Sequence, residues 1–190
     1  MIPEDKLKEL RQGLTKAECE KVLKIIDEFK LSPNLIINEK RGTDIFFHAV
    51  QCRVSSFKGS EDQIKLVNEL IERGADPNVK TIDGYNALHV AVSNKRLAKI
   101  ALQIVKGCSI EVNATAAPHQ NSVLFLAIGE YGQCWQKEAE SEKRVFFEII
   151  QKLLDLGADL NQENKNGYIT LEKAKDLEDE DLMDLIEKYK

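Results

Sequence analysis

The chain has 190 residues, of which 43% are hydrophobic and 31% charged, enough for one well-buried domain and without the composition of a disordered segment. Its formal net charge of −5 argues against a general electrostatic grip on nucleic acid or on an anionic membrane, since both need clustered Lys and Arg. The opening Met1-Ile2-Pro3-Glu4-Asp5-Lys6 lacks the apolar core of a signal peptide, no run approaches the roughly 18 apolar residues of a membrane span, and Cys19, Cys52, Cys108 and Cys134 show no C-x-x-C spacing.

The cysteines therefore read as mostly buried thiols in a reducing compartment, and the expected location is cytoplasmic. Leu7 and Leu10 predict a short helix that Gly13 separates from a second one. The second opens on Thr15 as N-cap, with Glu18 completing a capping box, and carries Val22, Leu23, Ile25, Ile26 and Phe29. Its tail, Phe29 to Asn34, can be laid on Arg73 to Asn78 with Pro and Asn preserved. Residues 1–37 are accordingly an N-terminal helical cap or a degenerate first repeat.

Gly42-Thr43-Asp44-Ile45-Phe46-Phe47-His48-Ala49-Val50 predicts a short helix, followed by a loop-like insertion near 52–61. Leu66, Val67, Leu70 and Ile71 make the apolar stripe of an amphipathic helix, which Gly74 stops. Asp76-Pro77-Asn78 and Asp83-Gly84 are turn signals, and between them the chain must reverse. Asn86 then caps a short helix that buries Leu88, Ala91 and Val92. Leu97 to Val105 predicts the next helix, Ala114 to Pro118 a loop, and Ser122 the cap of a helix through Val123, Leu124 and Ala127. A second insertion, near 129–144, precedes a helix with Val145, Ile149, Ile150, Leu153 and Leu154. Because Gln133 to Lys143 lacks Gly and Pro, that helix is expected to begin early. Gly157-Ala158-Asp159-Leu160-Asn161, the stretch Gly167 to Ala174, and a closing helix at Asp181 to Tyr189 complete the chain.

Helix, Gly-Ala-Asp-x-Asn, reversing loop, helix: the stretch Leu66 to Val92 resembles the ankyrin repeat. The family's G-x-T-P-L-H-x-A-A stands here as Gly84-Tyr85-Asn86-Ala87-Leu88-His89-Val90-Ala91-Val92, with the Thr-Pro pair replaced. Leu153 to Leu171 is a second close match. At the Leu position of the template Phe46, Leu88, Leu124 and Leu171 lie 42, 36 and 47 residues apart by subtraction of their numbers, all longer than the family's roughly 33, and the excess sits mainly in the two insertions. The resemblance implies an all-α ankyrin-repeat solenoid of helix-turn-helix units with short finger loops. About four units follow residue 37, at 38–78, 79–113, 114–161 and 162–190.

It also implies roles for residues. Ala49, Ala91 and Ala127 take the small position where inner helices approach closely. His89 matches the histidine that bonds backbone in the neighbouring loop, and Phe47 and Phe125 replace that bond by packing. The implied function is a protein-protein interaction module or adaptor that works through the concave face and the finger loops. Candidate partner-binding residues are Arg41, His48, Ile82, Tyr85, Val90, Leu126, Trp135 and Tyr168. Tyr85 and Tyr168 are expected to face solvent at two fingers, where tyrosine offers contact area with few rotatable bonds. Trp135 either anchors an interface or packs its own insertion onto the stack.

Catalytic chemistry finds no motif. His48 and Cys52 have a spacing that suits two metal ligands, but no second pair accompanies them and His119 is far along the chain. No P-loop, dinucleotide fingerprint, nucleophile elbow or H-E-x-x-H is present. No cofactor, metal or catalytic residue is expected, and the expected state is a monomer with a protein partner, neither nucleic acid nor membrane. Two alternatives stay open. The insertions build the site of an enzyme or enzyme regulator, or the chain is a bacterial effector that acts on a host protein, a use common among short divergent ankyrin proteins.

Overall fold

The computed structural model describes residues 2–52, 61–136 and 139–190. The first helix, α1 (Glu4–Lys16), runs straight through Gly13, so the expected break there does not occur. Leu10 and Leu14 are both fully buried on it, and that burial carries the helix past a residue of poor propensity. Gly13 serves packing instead: a Cβ there would stand 2.9 Å from Val22 Cγ2 on α2 (Cys19–Phe29). Nor does Thr15 cap α2. Its hydroxyl donates back to the Arg11 carbonyl inside α1, and Glu18, at the N-cap position, makes no side-chain cap bond.

Three later helices open on side-chain caps, two of them, Asn86 and Ser122, where the sequence places them. Asp44 accepts from Phe47 N–H at the start of α3 (Ile45–Val50), Asn86 from His89 N–H at α5 (Ala87–Val92), and Ser122 from Phe125 N–H at α7 (Val123–Gly132). These satisfy amides that a helix start leaves without partners. α4 (Glu61–Glu72) ends as predicted at Gly74, where Gly74 N–H bonds Ile71 O and Ala75 N–H bonds Leu70 O. The same pair of bonds closes α8 (Glu140–Asp155) at Gly157 and Ala158, and closes α2 at Lys30 and Leu31. Lys30 there takes a left-handed φ of 52° in the place glycine holds elsewhere.

α6 (Ala98–Gly107) follows a single 3-10 turn at Lys95–Leu97 that Asn94 caps. The first insertion lies almost wholly in 53–60, outside the described residues. The second is shorter than expected, because α7 continues to Gly132 and buries Tyr131, and α8 starts at Glu140. α9 (Thr170–Lys175) and α10 (Glu180–Glu187, capped by Asp179) close the described chain.

The helices form five antiparallel pairs among the described residues. α1, α3, α5, α7 and α9 pack in succession as an inner row, and α2, α4, α6 and α8 as an outer row. Ala49, Ala91, Ala127 and Ala174, at the same place in four inner helices, have no exposed surface. Inner helices come this close because a methyl is all that separates them. Between pairs the chain projects as fingers, two of which carry short antiparallel strands: β1 (Ile36–Asn38) with β2 (Thr43–Asp44), and β3 (Thr115–Ala116) with β4 (Asn121–Ser122). Cys19 and Cys134 are buried thiols, while Cys52 and Cys108 are only half-buried. No helix among the described residues is long and apolar enough to cross a membrane.

Candidate partner-binding face

Two sets of hydrogen bonds fix one unit against the next. Asn34, Asn78 and Asn113 each reach forward with the same side-chain amide. Their oxygens accept from the N–H of Asp76, Glu111 and Asp159 at 2.7, 2.7 and 2.8 Å. Their nitrogens donate to the carbonyls of Gly74, Ser109 and Gly157 at 3.1, 2.9 and 3.2 Å. An Asn side chain can do this because it carries a donor and an acceptor side by side, as a peptide group does. Sequence reasoning missed this ladder, although the last residue of Gly-Ala-Asp-x-Asn is its signal. The fingers are joined in turn by backbone bonds from Ile82 N–H to Arg41 O, Ala117 N–H to Asp83 O, and Lys165 N–H to His119 O, at 3.1, 3.1 and 2.8 Å.

His89 has no exposed surface and spans two units. Its Nε2 lies 3.2 Å from the Ala114 carbonyl in the next finger, as expected, and its Nδ1 lies 2.7 Å from Asn86 Oδ1. Burial pushes the imidazole down to about 4, and the Ala114 and Asn121 carbonyls pull it back only in part. A neutral ring has one N–H for these two acceptors.

The candidate contact residues fall into four groups. Arg41 is exposed at the first fingertip beside Ile82, which is 72% exposed at the second, and Tyr168 is 62% exposed at a later finger. His48, Val90 and Leu126 are half-buried on α3, α5 and α7. Tyr85 departs from expectation. It is half-buried, with its ring edge-on to His89 at a centroid distance of 6.2 Å. Tyr168 makes the same finger bonds, since Tyr168 O accepts from Asn164 N–H as Tyr85 O does from Thr81 N–H. Its own helix offers Glu172 where α5 offers His89, and its ring stays outside. Trp135, after α7, is 78% exposed and does not pack its insertion onto the stack.

A family model described as Ankyrin repeats (3 copies) matches residues 53–164. The chain belongs to the ankyrin-repeat family. L-asparaginase of Dirofilaria immitis is 24% identical over 189 aligned positions, which cover 88% of this chain and 31% of that protein. Ankyrin repeat and SOCS box protein 6 of Mus musculus is 32% identical over 103 positions, 54% of this chain and 21% of that protein. The chain thus spans a minor part of either relative's length.

The departures from the ankyrin template have local chemical consequences. Where the first unit has Asp44 and Phe47 in place of Thr and His, the phenyl ring offers no donor, and Asp44 Oδ2 is buried without a hydrogen-bond partner. Burial pushes this carboxyl up to about 6, against two backbone bonds that lower it. In the third unit Phe125 takes the His position, and Lys173 Nζ sits 3.8 Å from the centre of its ring, a cation-π contact. Lys173 and Phe125 line an open groove of about 480 Å³ with Tyr168, Ile169, Glu172 and Asp176.

A second groove, of about 580 Å³, lies where the second insertion meets α10 and is lined by Tyr131, Lys143, Arg144, Asp181, Asp184 and Lys188 among others. This is the polar site that an insertion-built enzyme would need. Its central charges are engaged with each other: Lys143 Nζ is 2.7 Å from Asp179 Oδ2, Tyr131 Oη donates to Asp179 Oδ1 at 2.9 Å, and Arg144 bonds Glu140. Burial, and then the Asp179 carboxylate, push the Tyr131 phenol up, which makes it a poor general base or acid near neutrality.

Proposed function

We propose that this ankyrin chain is a non-catalytic adaptor, monomeric and cytoplasmic, that binds a partner protein through the concave face of α3, α5, α7 and α9 and the adjoining fingers. One observation carries the reading. Ile82 and Tyr168, large apolar residues at fingertips, are exposed while the repeat template beside them is consumed by the core. Such residues add nothing to folding where they stand, and a partner that covers them gives them a use. The contact set is Arg41, His48, Ile82, Tyr85, Val90, Leu126 and Tyr168. Because the fingers are bonded to one another, a partner meets a preorganised face and little ordering entropy is lost on binding.

Residues 1–37 act as a degenerate first repeat rather than as a separate cap. Asn34 occupies the first rung of the asparagine ladder, and four units, 38–78, 79–113, 114–161 and 162–190, follow. The likeness to L-asparaginase, confined to 31% of that protein, is not read as catalysis. A second surface is supported by Trp135, exposed at the helix-turn edge, where a single indole can anchor an interface.

The test is calorimetry with a partner captured on the immobilised chain and then purified. Ile82→Ala with Tyr168→Ala is expected to weaken binding by at least about 2 kcal/mol in total and to leave the melting temperature unchanged. If that variant binds as the parent does and Trp135→Ala does not, the helix-turn edge is the working surface and the concave reading is abandoned.

A further inference from the structure

At the N-terminal end of the concave face, two guanidiniums gather at the first finger, where the carboxyls of Asp44, which is buried, and of Asp83, exposed next to Ile82, are also found. Arg11, on α1, donates to the Ile37 carbonyl in β1, so its guanidinium lies against the first finger. Arg41, at the tip of that finger, makes no side-chain hydrogen bond or ion pair with a described residue. His48, on α3, is held to the same finger through Thr43 Oγ1, 2.8 Å from its Nε2. Burial, and then the Arg11 and Arg41 guanidiniums, push its imidazole down. Glu39 and Lys40, both exposed at the fingertip, offset each other. Ile36, 40% exposed, and Ile82 flank the cluster, and Ile82 is tied to it by its backbone bond to Arg41.

Like charges brought together by a fold repel one another, and nothing in the packing of α1 or α3 requires Arg41 at this tip. A carboxylate placed between the two guanidiniums would gain charge-assisted, forked hydrogen bonds from both. An apolar neighbour in the same segment would cover Ile82. At the other end of the face the balance is acidic, because the Tyr168 groove is lined by Glu172 and Asp176 against the single Lys173. An acidic segment is therefore directed to the first finger and away from the last.

We propose that Arg11, Arg41 and His48, with Ile36 and Ile82 beside them, seat an acidic segment of the partner protein, an Asp or Glu side chain between the guanidiniums and an apolar side chain on Ile82. The proposal rests on the concave-face reading above and specifies which part of that face meets which chemistry.

The probes are a capped six-residue peptide of four glutamates and two leucines and its counterpart with lysine in place of glutamate, titrated into the full chain and followed by NMR. The acidic peptide is expected to shift the His48 ring resonances saturably and to raise the midpoint of His48 titration by at least about half a unit, and the lysine peptide to leave both unchanged. Arg41→Gln should weaken the acidic peptide at least about tenfold, with Arg41→Lys between it and the parent. Arg41 holds nothing in the fold, so its variants keep the test clear of unfolding. An unmoved His48, an equal response to both peptides, or unchanged binding by Arg41→Gln overturns the proposal. If the acidic peptide perturbs Val90, Leu126 and Tyr168 but not His48, this seat is wrong and the concave-face reading stands. Binding confined to Trp135 overturns both.

Discussion

Asp44 and Phe47 stand three residues apart at the start of α3, and the phenyl ring leaves one oxygen of the buried carboxyl without a donor. In the next unit Asn86 and His89 occupy the same two positions, and there both ring nitrogens face an acceptor. One site has too few donors and the other has too few hydrogens. The two strained spots respond to pH in opposite directions.

Asp44 goes from an ordinary 3.8 to about 6 on folding, so the folded chain holds its proton more tightly than the unfolded one. Its contribution to stability is fully present below pH 3.8 and is lost as pH rises through 6. His89 goes from 6.5 to about 4, so its contribution is present above pH 6.5 and is lost as pH falls through 4. Each amounts to roughly 3 kcal/mol, and across the shared window they nearly cancel. The parent should therefore show a flat stability between about pH 4 and 6.5 from these two groups. Asp44→Asn, which keeps the cap, should melt higher than the parent at pH 7 and lose about 3 kcal/mol on acidification to pH 4. Urea titrations at five pH values check both statements; parallel profiles for parent and variant would refute them.

Asn86→Thr should stabilise the second unit. A hydroxyl can accept from His89 N–H and donate to Nδ1 at once, whereas the amide oxygen of Asn86 only accepts. The expected gain is about 0.5 to 1.5 kcal/mol, read as a higher urea midpoint with unchanged slope. A loss of stability would show that the Asn86 oxygen is correctly matched to a protonated Nδ1.

Lys30→Gly addresses backbone rather than side chain. Lys30 closes α2 with a left-handed φ of 52°, a conformation that costs an L-residue about 1 to 2 kcal/mol. Part of the gain returns to the unfolded chain as glycine's freedom. The net expectation is a stabilisation of roughly 0.5 kcal/mol, measurable by thermal melting, and a destabilised variant would count against the shared helix ending.

Ala91→Leu tests the inner row. Ala91 has no exposed surface and faces the neighbouring inner helices, so three added carbons must displace backbone or side chains at a cost of about 1 to 3 kcal/mol. Ser141→Ala, whose hydroxyl bonds only the adjacent Glu142 on the surface, should melt with the parent. Equal melting temperatures for Ala91→Leu and the parent would contradict close packing at this position.

What the sequence by itself determined were the features set by nearest neighbours along the chain. Asn86 and Ser122 as caps, Gly74 and Gly157 as stops, and the small alanines depend on a few consecutive residues, and each appears where it was read. His89 was legible because its partner sits at a fixed offset in any repeat of this kind. Tertiary structure decided the rest. Gly13 looked like a break and is a contact point, since only the approach of Val22 reveals why no side chain fits. Thr15 has the chemistry of a cap, but its hydroxyl is spent inside α1. Tyr85 and Tyr168 follow identical glycine turns, and one is half-buried because the ring beneath it is His89, the other exposed because that place holds Glu172. The asparagine ladder joins residues 31 to 46 positions apart, and the first-finger cluster unites Arg11, Arg41 and His48 from three parts of the chain. Separations of that size are closed by the stacking of units, whose energy is shared across interfaces rather than written in any one segment.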